Sequence, residues 1–150
     1  GHTGLRRDWS SDVCYSDLGL MGLIHAHRGN YDDANRHIDT AIRLSPRDPT
    51  LVWVRLTPVI AALIAEMPDE YLAKAKEFTD GAPDVVAGWR HVAAAYVMLD
   101  RLDEAREGIS QVLKVSPDDC LERVRASIPI ANPDVRERFL GYLAKAGLPE

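Results

Sequence analysis

The sequence predicts an all-α chain, a helix-turn-helix repeat solenoid of about three units with capping helices at its C-terminal end. Three observations predict it. Apolar residues recur at the i, i+3, i+4 spacing of one helical face. The apolar runs end at Pro or Gly, residues that stop helices. One helix, with its stop, occurs twice, at Tyr31–Leu44 and again at Leu102–Val115.

Leu20, Leu23 and Ile24 mark a first helix, closed at Gly29-Asn30 by residues that accept left-handed conformations. In YDDANRHIDTAIRL, Tyr31 to Leu44, the stripe is Ala34, Ile38, Ala41 and Ile42, and Ser45-Pro46 is the stop. The middle unit has a first helix over Thr50–Glu66, which Pro58 is expected to kink or shorten. Met67-Pro68-Asp69 turns into a second helix over Asp69–Thr79, ended by Gly81-Ala82-Pro83. Trp89–Leu99 is apolar and Ala-rich. The next helix, LDEAREGISQVLKV, has the stripe Leu102, Ala105, Ile109, Val112 and Leu113, with Ser116-Pro117 as its stop. Aligning Pro46 with Pro117 sets Tyr31 over Leu102, Asp32 over Asp103, Ala34 over Ala105 and Leu44 over Val115, an internal repeat.

After Pro117 the pattern changes. Asp118 and Asp119 suit a helix start, where the macrodipole favours negative charge, and Leu121 and Val124 face a short helix ending near Ser127-Ile128-Pro129. Asn132 is a cap, Pro133 takes the first helical position, and Val135, Phe139 and Leu143 form a stripe up to Gly147 and Pro149. Asp134, Arg136, Glu137 and Arg138 give this end the polar face that closes a stacked array. Residues 1–18 are set apart, 19–117 hold the units (about 19–48, 49–85 and 86–117), and 118–150 cap them.

Composition bounds the function. Across 150 residues, 18 Lys and Arg against 23 Asp and Glu give −5, without the basic stripe of a nucleic-acid binder. Apolar residues at 46% exclude disorder. Runs such as Val59–Ala65 are too short to span a bilayer, so no membrane partner is expected. Cys14 and Cys120 make neither a disulfide framework nor a zinc spacing. No signal peptide is visible, and a cytoplasmic location is the expectation.

The repeated hairpin resembles the tetratricopeptide repeat, a 34-residue unit with a bulky residue early in its first helix, small residues where the helices cross and a closing Pro. In the third unit Trp89, Ala93, Tyr96, Ala105 and Pro117 match, while Asp100 stands where the family usually has Gly. In the first, Leu18, Met21, Gly22, Gly29, Tyr31, Ala34, Ala41 and Pro46 match, with His25 in the aromatic place. The 71 positions from Pro46 to Pro117 exceed two standard units by three, which makes the middle unit degenerate.

The ending Ile128–Glu150 resembles the close of repeat regions in bacterial class III adenylate and guanylate cyclases, which often finish Lys-Ala-Gly-Leu-Pro-Glu, here Lys145 to Glu150. Similar tails follow winged-helix transcriptional regulators. The cyclase catalytic domain and its metal-binding aspartates are not in this sequence. Asp8–Leu18, DWSSDVCYSDL, resembles a translated sequencing-library adapter, DWSSDVCSSDL, and differs only at Tyr15, one base away. On that reading residues 1–18 are a non-native leader, and Trp9, Asp12 and Cys14 carry no function. The alternative is a genuine Ser/Asp-rich lead-in packed on the first helix.

No catalytic constellation, metal site or cofactor is expected. His25 and His27 are two apart and point to different faces of a helix, whereas zinc pairs sit four apart. Neither His37 nor His91 completes a ligand set, and Asp32-Asp33 and Asp103-Glu104 open helices, where acids answer the dipole. Cys120, near a helix start, reads as structural. Phosphate-binding Gly-rich loops and the GxSxG elbow are absent.

The resemblance implies a groove lined by the first helix of each unit, holding a peptide or a helix. By register it presents His27, Trp53, Thr57, Arg90, His91 and Met98, with Trp53 equally readable as core. Gly19 and Leu23 replace the Lys and Asn of the carboxylate-clamp repeats, which disfavours a chaperone tail as ligand. The expectation is a non-catalytic interaction module, the regulatory or scaffolding end of a bacterial signalling protein such as a nucleotide cyclase. Its partner is a protein, a peptide or the catalytic domain of its own parent chain. The alternatives are the sensor region of a winged-helix regulator and a homodimerising module.

Overall fold

The computed structural model describes residue 18, residues 20–48 and residues 51–150; Trp9, Asp12 and Cys14 lie outside them. Among the described residues all regular structure is helical. α1 occupies 20–27, followed by α2 (Tyr31–Leu44), α3 (Leu51–Ile64), α4 (Pro68–Gly81), α5 (Val86–Met98), α6 (Leu102–Val115), α7 (Leu121–Ser127) and α8 (Pro133–Ala146). None of them is long and apolar enough to cross a membrane. From α2 to α6 each helix packs on the next, and α8 returns to lie on α5.

Three tight turns share one geometry. Gly29, Glu66 and Asp100 take φ of 77°, 54° and 57°. The next residue in each case donates back to a carbonyl five positions earlier: Asn30 to His25 at 2.8 Å, Met67 to Ala62 at 3.1 Å and Arg101 to Tyr96 at 2.9 Å. This is how a left-handed residue satisfies the last carbonyls of a helix. The ends of α2, α4 and α6 also agree. Ser45, Ala82 and Ser116 sit at φ of −148°, −145° and −137°, and each N–H bonds four residues back. The turns lie 37 positions apart between Gly29 and Glu66 (66 minus 29) and 34 between Glu66 and Asp100 (100 minus 66). The excess length of the middle segment therefore falls before Glu66.

α3 runs through Pro58, which the sequence expects to interrupt it. Leu56, Val59, Ile60 and Leu63 are all at most 2% exposed, and their burial holds the helix together although Pro58 has no N–H for the Val54 carbonyl. α5, apolar nearly all round, is buried without a break from His91 to Val97 between α4, α6 and α8. Gly108 lets α6 approach it closely: a Cβ there would stand 3.0 Å from the Ala93 Cβ and 3.1 Å from its Cα.

The C-terminal ending has a structural account. Asn132 accepts from the Asp134 N–H at 2.9 Å and caps α8. Gly147, at φ 106°, closes it. Leu148 is then buried, and the Pro149 carbonyl accepts the Leu121 N–H at 2.8 Å, which satisfies a donor at the start of α7.

Candidate interaction face

The candidate residues lie on α1, α3 and α5, and α8 packs over α5. Over α5 the face is closed. His91 is 2% exposed, its ring stacked on Phe139 of α8 with centroids 4.7 Å apart. The Tyr71 hydroxyl sits 2.6 Å from His91 Nδ1. With Tyr71 donating, the neutral imidazole carries its proton on Nε2. Burial, aided by the charge of Arg90, lowers the His91 pKa to about 3, and burial raises the Tyr71 hydroxyl well above its ordinary value. Both rings are held neutral, as their apolar surroundings require.

Arg90 is engaged by the chain itself. Its Nε donates to Asp119 Oδ2 at 2.8 Å and its Nη2 to Oδ1 at 2.5 Å, a bidentate pair with side chains 12% and 1% exposed. The pair fastens α5 to the turn before α7. His27 donates from Nδ1 to the Leu23 carbonyl at 2.8 Å and accepts the Ala131 N–H on Nε2 at 3.2 Å. Arg138 of α8 pairs with Glu66, beside the second turn. Met98 is half-buried.

Over α1 and α3 the face is open. Trp53 is 65% exposed and borders an apolar cleft of about 380 Å³ lined by Leu20, Leu23, Thr57, Ile60 and Pro129. Thr57 lies at the bottom, 4% exposed. Leu20, Met21 and Ile24 continue the apolar surface along α1 at 58%, 44% and 41% exposure. No residue lining the cleft is charged.

Ala34, Ala41, Ala93 and Ala105 are fully buried. Gly22 lies against Ile38. Pro46 and Pro117 stand in the turns after α2 and α6. Trp89 donates from its indole to the Pro83 carbonyl at 2.9 Å, Tyr31 reaches Glu70 at 3.3 Å, and Tyr96 carries Lys76 and Arg101 over its ring. His25 stacks on His37 at 5.1 Å.

Tyr71, Asp119, Phe139 and Arg138 belong to the face, and sequence register does not single them out. Only the Phe139 stripe carries a signal, because it needs something to bury against. A second cleft, about 500 Å³, lies between α2, α3 and α4, where Asp39, Arg47, Arg55, Lys74 and Glu77 mix both charges. Half-buried Cys120 precedes α7. Among the described residues no three of His, Cys, Asp and Glu gather as metal ligands would. No protein-family model matches this chain, and no curated protein is found similar to it.

Proposed function

We propose that the chain is a non-catalytic interaction module of the tetratricopeptide kind, a helical-repeat solenoid whose first helices present a partner-binding face. Three turns of one geometry, equivalent helix ends and the close Gly108–Ala93 crossing support the repeat reading. The observation that carries the functional reading is the uncharged cleft beside Trp53. An exposed Trp at the rim of an apolar cleft is the residue type on which interface affinity concentrates. The module is read as the regulatory end of a cytoplasmic bacterial signalling protein, a nucleotide cyclase being the leading parent because of the Lys145–Glu150 ending.

Peptides selected on the chain from a random display library test this. Trp53→Ala is expected to weaken the selected ligands by ~30-fold, the equivalent of ~2 kcal/mol, while Arg43→Ala leaves them unchanged. Ligands indifferent to Trp53 overturn the reading. The apolar row Leu20, Met21 and Ile24 favours a second reading, self-association through α1. It predicts a mass that doubles with concentration and a monomer on Ile24→Glu.

A further inference from the structure

This inference rests on the interaction-face reading and states what the face is shaped to hold. α8 packs chiefly on α5, a distant helix in the chain, rather than on its neighbour α7. It places Phe139 on the His91 ring, so it occupies a position that sequence register assigns to a partner. Its buried face is Val135, Phe139 and Leu143, at i, i+4 and i+8, with Leu140 and Ala146 beside them. Its polar fastenings lie at the surface: Arg138 with Glu66, Arg125 with Glu137, and the Ala131 N–H on His27. Exposed pairs of this kind hold a helix weakly. Residues 128–132, outside any helix, tether α8 to α7.

We propose that the face over α5 is a seat for an amphipathic helix with an aromatic residue flanked by aliphatic ones four positions to either side. α8 holds that seat in cis, and a partner helix of the same chemistry binds by taking its place. The short tether presents α8 at an effective concentration of ~1 mM, so a competing helix gains access only when it outmatches α8 or when α8 is weakened.

The test uses the full chain and a labelled synthetic peptide of residues 128–150. A Phe139→Ala, Leu143→Ala variant is expected to bind the peptide on the order of 100-fold more tightly than the unaltered chain, because its own α8 no longer competes. The same peptide carrying Phe139→Ala is expected not to bind. Equal, weak binding to both chains, with the variant's helicity intact, overturns the proposal. So does a variant dimer that excludes the peptide, since a second copy's α8 then holds the seat. Should the variant unfold, hydrogen exchange on the unaltered chain decides: residues 133–146 are expected to exchange at least ~10-fold faster than 86–98, through opening of α8 alone. Equal protection contradicts it. Peptide binding that persists after Trp53-dependent ligands fail to appear would sink the open-cleft reading and leave this one standing.

Discussion

The hairpins α1–α2 and α5–α6 share one plan, yet their leading helices meet opposite surroundings. At a shift of 71 positions Leu20 answers to His91, Met21 to Val92 and Ile24 to Ala95. The first of each pair is 58%, 44% and 41% exposed; the second is 2%, 4% and 0%. Neighbours, not residue types, make the difference. α5 lies between α4 and α8 as well as against α6, whereas α1 buries only its inner face, where Ala26 clusters with Ala34 of α2 and Ala61 of α3 and Gly22 meets Ile38. Burial at a given helical position thus depends on the neighbouring helices and cannot be read from one hairpin.

The sharpest break in this comparison is expected from Phe139→Ala. Removing a ring that is 1% exposed should lower the unfolding free energy by ~3–5 kcal/mol in urea titration, whereas Ile24→Ala, on the open side, should lower it by under ~1 kcal/mol. Next comes the Arg90–Asp119 pair. Asp119→Ala strands a mostly buried guanidinium and is expected to destabilise by ~3 kcal/mol. Asp33→Ala, which breaks an exposed pair with Arg36, should leave the melting curve in place.

Acid should single out the closed side. With the His91 pKa lowered from 6.5 to about 3, the unfolded chain takes up a proton that the folded chain refuses, so stability falls as pH drops from 6.5 towards 3. Between pH 7 and pH 5 this one group removes ~2 kcal/mol. His91→Phe is expected to flatten that slope relative to the unaltered chain, and an unchanged slope would place the acid sensitivity elsewhere. The smallest effects should come from exchanging turn residues. Asp100→Gly relieves a left-handed residue and should stabilise by ~0.5–1 kcal/mol, while Gly29→Ala imposes that strain and should destabilise by ~1 kcal/mol.

Local chemistry made most of the fold legible. Tyr31–Leu44 and Leu102–Val115 are the helices the sequence predicts, residue for residue, because each has a one-sided stripe and a Ser-Pro stop. Asn132 and Gly147 cap α8 as their residue types require. Pro58 and Glu66 escape such reading: tertiary burial carries α3 through one, and the turn imposes left-handed backbone on the other. Of the candidate face, Trp53 reads from the sequence equally as groove or core until its 65% exposure decides, and the engagement of Arg90 and His91 is not legible at all. Their partners Asp119 and Phe139 lie 29 and 48 positions away (119 minus 90, 139 minus 91), beyond any helical period. Only tertiary packing, of the turn before α7 in one case and of α8 in the other, brings them together.

The central claim is that one side of the molecule is closed over α5 by α8 and open over α1 and α3. Hydroxyl-radical footprinting of the full chain, read residue by residue, tests it most directly. Trp53 and Met21 are expected to oxidise rapidly, while Tyr71, His91 and Phe139 are labelled far more slowly under native conditions. Labelling of His91 and Phe139 in step with Trp53 under native conditions would contradict the account, because α8 would then not be in its seat.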